Sequence, residues 1–384
     1  MPNPLLELQQ HGQAVWLDQL RRGLLTSGHI SRLIETDGLR GVTSNPTIFE
    51  EAISGSRDYE GHLRALDGED LSPQEVYEAL AVQDIQWTAD LLRPVWEELD
   101  GADGYVSLEA SPHLAYDSEG TVAEVRRLHR AVGRPNVMIK VPGTPAGIPA
   151  VEQLIAEGYS INITLLFGQE NYFRVAEAYM AGLERLIASG GDPARVASVA
   201  SFFISRIDAL ADLRLEGKAA SEASAVRRWA LRALKGRVAV ANARLAYARY
   251  EEMAGSQRWQ LLVRQGARPQ RLLWASTGTK DPAYRDVIYV EELIAPDTVN
   301  TMKPETMDAF RDHGRVADTL RVGVDEAGEV MAALQELGIS MQELTDQLQE
   351  EGVAKFVRPF EQLLGSIQAR RAEAGYGIPA RRAP

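Results

Sequence analysis

The chain has 384 residues, 45% hydrophobic and 25% charged, a balance that suits a folded globular protein able to bury a large core. It has no cysteine, which excludes disulfides, zinc–thiolate sites and a cysteine nucleophile and fits a reducing compartment such as the cytoplasm. A net charge of −13 argues against broad nucleic-acid binding, so any site for a small anion has to be a local cluster of positive charge. Met1 to Gln10 lacks the basic and apolar segments of a signal peptide, and no apolar run is long enough to span a bilayer. A cytoplasmic protein without membrane or nucleic-acid partners is expected.

Short β-type runs recur along the chain at Ala14–Asp18, Leu39–Asn45, Tyr105–Glu109, Val137–Val141, Tyr159–Thr164, Val196–Phe203, Arg271–Ser276 and Val287–Val290. Longer helical stretches separate them. Between the second and third runs, Ser72-Pro73-Gln74-Glu75 has a capping serine, proline at the first helical position and glutamate at the third, and opens a helix to about Leu99. Arg214 to Gly255 is rich in Ala, Glu and Arg and reads as helix throughout. Its arginines (Arg227, Arg228, Arg232, Arg237, Arg244 and Arg249) read as a solvated helix face. Met307 to Arg371 reads as a C-terminal helical layer, and Gly375 to Pro384 as a frayed tail.

Alternating strands and helices imply parallel pairing with helical crossovers. About eight such units predict a single α/β domain, a closed (β/α)8 TIM barrel with extra helices, over 1–372, with a flexible tail at 373–384. A doubly wound open sheet is the alternative, but the glycine-rich dinucleotide turn expected after its first strand is missing.

Side chains alternate faces along a strand, and buried parallel strands should be nearly continuous apolar runs. Here strand after strand ends with a polar residue: Asp18, Asn45 beside Thr43, Glu109 with Ser107, Lys140, Thr164 with Asn162, Ser201 with Phe203, and Ser276 beyond Trp274. In a barrel these ends converge at the C-terminal mouth, where barrel active sites lie. Of the six lysines, only Lys140 lies within an apolar strand, Val137-Met138-Ile139-Lys140-Val141. Taken alone it reads equally as a lysine snorkelling from a strand end or pairing with Glu109. A desolvated lysine favours its neutral amine, the form that attacks a ketone to make an imine.

At these residues the sequence resembles the transaldolase family. Gly41-Val42-Thr43-Ser44-Asn45-Pro46, Met138-Ile139-Lys140-Val141-Pro142-Gly143-Thr144, Ile161-Asn162-Ile163-Thr164 and Ser201-Phe202-Phe203-Ile204-Ser205-Arg206-Ile207-Asp208 occur in family order. The segment Trp274-Ala275-Ser276-Thr277-Gly278-Thr279-Lys280 looks like the longer bacterial branch, some members of which carry a phosphoglucose isomerase domain. At 384 residues, the chain is expected to carry the barrel without that second domain.

The resemblance implies a pentose phosphate pathway enzyme that needs no metal or organic cofactor and binds only small sugar phosphates. It would move a dihydroxyacetone unit from sedoheptulose 7-phosphate to glyceraldehyde 3-phosphate, giving erythrose 4-phosphate and fructose 6-phosphate. Lys140 would form the Schiff base, Asp18 would move the proton in carbon–carbon bond cleavage, and Glu109 would act through a water held by Thr164. Asn45, Asn162 and Ser201 would hold the dihydroxyacetone hydroxyls, and Arg206, Ser276 and Lys280 the phosphate. Lys280 departs from shorter relatives, which have an arginine soon after the strand-seven serine. Two rival readings are a Schiff-base fructose-6-phosphate aldolase that releases free dihydroxyacetone and a non-catalytic sugar-phosphate-binding barrel. Phe203, which has no hydroxyl, with the carboxylate of Glu109, favours transfer over the first. The sequence leaves the oligomeric state open.

Overall fold

Eight short strands, nearly all buried on both faces, alternate with helices: β1 (Gln13–Leu17), β2 (Leu39–Thr43), β3 (Tyr105–Glu109), β4 (Val137–Pro142), β5 (Ile161–Leu166), β6 (Ser198–Phe203), β7 (Gln270–Ala275) and β8 (Thr298–Met302). In the computed structural model, which describes residues 3–66 and 69–373, they pair in parallel and in chain order, and β1 closes on β8. The result is a (β/α)8 barrel with additional helices. Seven strands coincide within two residues with the runs read from the sequence. No described helix is long and apolar enough to cross a membrane.

The eighth run is a correction. Val287–Val290 falls in a short helix, Ile288–Glu291, and the strand lies further on at Thr298–Met302. The run is β-branched and aromatic but only four residues long. Its Tyr289 hydroxyl donates to Asp208 at 2.7 Å, which fixes it against the helix Ser205–Ser221. The true strand looked too polar for a buried one. Its polar groups are satisfied inside the protein: Gln13 donates to Thr298 at 2.9 Å, Thr277 donates to Asn300 at 2.9 Å, and Thr301 shares a 2.8 Å hydrogen bond with Thr43.

A second correction concerns Arg214 to Gly255, which is not one helix. It divides among Ser205–Ser221, Ala225–Ala233 and Val238–Ala254. Ser224 caps the second of these, and Gly236 (φ +72°) turns the chain into the third. A Cβ at Gly236 would also lie 2.8 Å from the Tyr284 ring. Of the six arginines read as one solvated face, four meet carboxylates, as in Arg232–Glu216 at 3.1 Å and Arg244–Glu292 at 2.7 Å, whereas Arg228 donates to the Glu222 and Ala223 carbonyls.

The expected capping box is present, with Ser72 N–H donating to Glu75 at 2.8 Å at the start of the helix Pro73–Glu98. The C-terminal layer comprises Pro304–His313, Val324–Glu336 and the 33-residue helix Met341–Glu373. Glu373 ends that helix, and the rest of the expected tail, 374–384, lies outside the described residues.

Register and alternation together zone the barrel interior. Trp16, Gly41, Tyr105, Val199 and Arg271 form its lower part. Trp16 Nε1 and Arg271 both bond Asp103, at 2.9 and 2.8 Å. A Cβ at Gly41 would fall 2.3 Å from the Trp16 indole, so only glycine lets the indole fill this end. Asp18, Thr43, Ser107, Asn162, Ser201 and Thr301 share the same inward parity one layer higher, and Glu109, Lys140 and Phe203 lie above them. The barrel is thus plugged below and polar above.

Asp208, 1% exposed, ties the helix that follows β6 to its neighbours by accepting from Ala239 N–H at 2.7 Å and from Tyr289. Burial pushes its carboxyl up from 3.8 to about 6, against the pull of these hydrogen bonds. The folded state therefore holds this proton more tightly than the unfolded chain. The associated stability is complete below about pH 3.8 and is lost as pH rises through about 6. Asp208→Asn, neutral at every pH, is expected to gain on the parent by on the order of 3 kcal/mol between about pH 4 and about pH 6. Urea melts across that range check this, and parallel profiles for the two proteins would contradict it.

Candidate active site

β3 and β4 run side by side with Glu109 opposite Lys140, which places both inward-pointing side chains at one level. Lys140 Nζ lies 3.2 Å from Glu109 Oε2 and donates to the Ser44 carbonyl at 3.1 Å. The two residues are 5% and 6% exposed, so this is a buried ion pair with few partners. Burial pushes the Glu109 carboxyl above the usual carboxylate range, and the Lys140 ammonium pulls it part of the way back. Glu109 Oε1 and Thr164 Oγ1 are buried and have no hydrogen-bond partner among the described residues. Unmet buried groups are rare enough to require a reason. Thr164 stands beside a bulge in β5, where Leu165 adopts φ +59° and the register with β6 shifts.

Asp18 follows β1. Its Oδ1 accepts from Thr43 Oγ1 at 2.7 Å, and Thr43 Oγ1 is in turn 2.8 Å from Thr301 Oγ1. Asn45 caps the helix Pro46–Gly55 by accepting from Ile48 N–H at 3.0 Å, which leaves its amide hydrogens available. Asn162 is fully buried, donates to Ser107 at 3.0 Å and accepts from Ser201 Oγ at 2.7 Å.

Above this layer a cavity of about 460 Å³ opens at the C-terminal ends of the strands. Besides Lys140, three basic residues line it: Arg206, Lys280 and Lys303. Arg206 lies in the first turn of the helix Ser205–Ser221, with its guanidinium carbon 5.2 Å from the centre of the Phe203 ring. Its Nη1 is buried and has no hydrogen-bond partner among the described residues. Desolvation pulls Lys280 below the ordinary lysine value, and the charges of Lys303 and Arg206 add to the effect. Ser276, bonded to Ser205 Oγ at 3.0 Å, joins them. A guanidinium with no partner among the described residues, two lysines and a helix N-terminus are groups of the kind that suit a phosphate-sized anion. Among the described residues, no three His, Asp or Glu side chains gather so as to hold a metal ion.

A model of the transaldolase/fructose-6-phosphate aldolase family matches residues 15–367. The chain belongs to this family. It is 48% identical to a transaldolase of Thermobifida fusca, over 97% of this chain and 99% of that protein. It is also 47% identical to transaldolase 2 of Nostoc punctiforme, over 95% and 97%, and 46% identical to a transaldolase of Acidothermus cellulolyticus, over 98% and 100%.

Of the site residues expected from the family resemblance, Asp18, Asn45, Lys140, Thr164, Ser201, Phe203, Arg206, Ser276 and Lys280 line the cavity. Glu109 and Asn162 do not: Glu109 lies behind Lys140, beside a small recess with Tyr77 and Phe360, and Asn162 supports Ser201 from below. Ser276 reaches the cavity by an unexpected route. Alternation puts it on the outer face with Trp274, but its left-handed backbone (φ +57°) breaks the alternation just beyond β7. Thr43, a strand-end residue expected at the mouth, lines the cavity too; Thr301, Lys303 and Phe356 also line it and were not anticipated. Lys303 directly follows β8, so the misplaced eighth strand hid it. Phe356 comes from the C-terminal helix, and no strand pattern could signal it.

The cation cluster can be tested without any substrate. In a phosphorus NMR titration with inorganic phosphate, Arg206→Ala is expected to weaken binding by roughly tenfold or more, as loss of a charge-assisted hydrogen bond implies. The more exposed Lys280 and Lys303 should each cost less when changed to alanine. Equal affinity in the parent and Arg206→Ala would place the anion elsewhere.

Proposed function

We propose that the protein is a transaldolase, acting in the cytoplasm on sugar phosphates of the pentose phosphate pathway through a barrel domain spanning 1–372. The observation that carries this reading is Lys140: of six lysines it is the only buried one, and it stands at a cavity whose rim bears the unpartnered Arg206 guanidinium. An amine held among apolar strand residues, with a carboxylate 3.2 Å away and basic residues lining the same cavity, suits imine formation with a phosphorylated ketose.

The reaction follows from the placement. Lys140, as the free amine, adds to the carbonyl of sedoheptulose 7-phosphate. Loss of water then leaves an iminium. Glu109 lies 3.2 Å from Lys140 Nζ, and its burial favours accepting the lysine's proton. A water bonded to both Glu109 Oε1 and Thr164 Oγ1 would satisfy those two unmet atoms and carry protons during dehydration and hydrolysis. Asp18 takes the proton of the hydroxyl next to the scissile bond. As that bond breaks, its electrons pass into the iminium, leaving an enamine on Lys140 and releasing erythrose 4-phosphate.

Glyceraldehyde 3-phosphate then occupies the vacated anion site. The enamine carbon attacks its aldehyde, Asp18 returns the proton to the new alkoxide, and water hydrolyses the iminium to free fructose 6-phosphate. The amide hydrogens of Asn45 and the hydroxyl of Ser201 orient the dihydroxyacetone unit, and Asn162 and Ser107 fix Ser201. Thr43 and Thr301 fix Asp18.

Incubation with fructose 6-phosphate and borohydride is expected to leave one reduced dihydroxyacetone adduct, mapped to Lys140. An adduct on any other lysine would overturn the assignment.

The two carboxylates should also fail differently. Asp18→Asn should form an uncleaved ketose adduct, whereas Glu109→Gln should slow adduct formation itself by about 10²-fold or more. Parent-like trapping rates in both variants would refute that division.

A further inference from the structure

We propose that the C-terminal helix is a working part of the active site, and that Phe356 governs whether the enamine on Lys140 reaches an acceptor or is protonated by solvent. The inference rests on the transaldolase reading above.

The helix Met341–Glu373 is fastened across the barrel mouth at both ends of the relevant stretch. Gln349 Nε2 donates to the carbonyls of Gly143 and Leu165 at 3.0 and 3.2 Å. Gly143 directly follows the strand that carries Lys140, and Leu165 is the left-handed residue next to Thr164. One turn on, a Cβ at Gly352 would come within 2.9 Å of Leu165 Cδ2, so the helix backbone itself rests on the β5 bulge. Further along, the Phe360 ring sits edge-on to Tyr77 at 5.5 Å, and Arg370 donates to the Ser54 carbonyl at 2.7 Å.

Gln349, Gly352, Phe356 and Phe360 recur at helical spacing and so share one face. Between the two anchors, Phe356 is 4% exposed, lines the cavity, and centres its ring 5.9 Å from Lys140 Nζ.

That position bears on one choice in the reaction. After cleavage the enamine is neutral and nucleophilic at carbon. In transfer it forms a carbon–carbon bond to the incoming aldehyde. In the competing path the same carbon takes a proton originating from water, the resulting iminium adds hydroxide, and the carbon–nitrogen bond breaks to give dihydroxyacetone and free Lys140, with one water consumed overall. A phenyl ring over the nitrogen offers no proton and occupies the space from which water would deliver one. The same ring face stabilises the cationic iminium on either side of the enamine. Phe356 is thus a specificity residue for transfer over release, and Gln349 positions it through the helix.

The test measures partitioning. Fructose 6-phosphate is supplied with a fixed, limiting acceptor aldehyde in heavy water, and free dihydroxyacetone, its deuterium content and the transferred ketose are quantified. Phe356→Ala is expected to raise the released-to-transferred ratio by roughly tenfold, with deuterium in the released product, while borohydride still traps an adduct on Lys140. Phe356→Leu, which keeps apolar bulk, should stay close to the parent. Gln349→Ala keeps the phenyl group but removes the bonds that hold its helix to both strand ends, so the ring is no longer fixed over Lys140 and the ratio should rise as well; it decides the matter if Phe356→Ala does not fold. An unchanged ratio in a trapping-competent Phe356→Ala or Gln349→Ala variant overturns the inference. Failure of the parent to trap any adduct would instead overturn the transaldolase reading on which it rests.

Discussion

A lysine and a carboxylate buried side by side are costly for a fold to maintain, because both lose their hydration and gain only each other. Here the Lys140–Glu109 contact has one further partner, the Ser44 carbonyl, and leaves Glu109 Oε1 unmet. An apolar pair in its place would serve stability at least as well. The pair is intelligible as machinery: burial raises the Glu109 carboxyl above the usual carboxylate range, which suits it to exchange protons with the group 3.2 Å away. Much of the surrounding structure follows from keeping this contact dry and fixed. The barrel is filled below by Trp16, Asp103 and Arg271, and the polar layer faces the cavity above. The C-terminal helix narrows that cavity.

Electrostatics divides the site by depth. The acidic and hydroxyl groups of the site lie low, on strand positions whose neighbours fix them through short side-chain chains such as Thr301–Thr43–Asp18 and Ser107–Asn162–Ser201. The cations sit higher, on the loops and the helix start after β6, β7 and β8. In a protein of net charge −13 this cluster is a local exception: Arg206 Nη1 has no hydrogen-bond partner among the described residues, and Lys303 meets Glu305 only at 4.0 Å. A phosphate bound there would place the sugar's reactive carbons toward Lys140. Asp208 and Tyr289, bonded at 2.7 Å, tie the helix bearing Arg206 to the connection bearing Lys280, so the two cations share one support.

The barrel was legible because buried parallel strands leave a simple signature, short apolar runs spaced by helices. Lys140 was legible because it broke that signature. The eighth strand was not, since Thr298, Asn300 and Thr301 look polar until their tertiary partners are known, whereas Val287–Val290 looks like a strand and is held as helix by its contacts. That single misplacement also concealed Lys303. Ser276 and Leu165 show a different limit: alternation assumes regular backbone, and left-handed residues at the active-site rim depart from it. Phe356 shows a third, since its proximity to Lys140 arises only from tertiary packing of a helix far along the chain.

The central claim is that a three-carbon unit travels on Lys140 from one sugar phosphate to another without being set free. The most direct measurement supplies sedoheptulose 7-phosphate, carbon-labelled in its first three positions, with unlabelled glyceraldehyde 3-phosphate and a chelator, and follows the label by carbon NMR. The expected result is intact label in the first three carbons of fructose 6-phosphate, unlabelled erythrose 4-phosphate in equal amount, and little free dihydroxyacetone. Label appearing mainly in free dihydroxyacetone, or turnover abolished by the chelator, would contradict it.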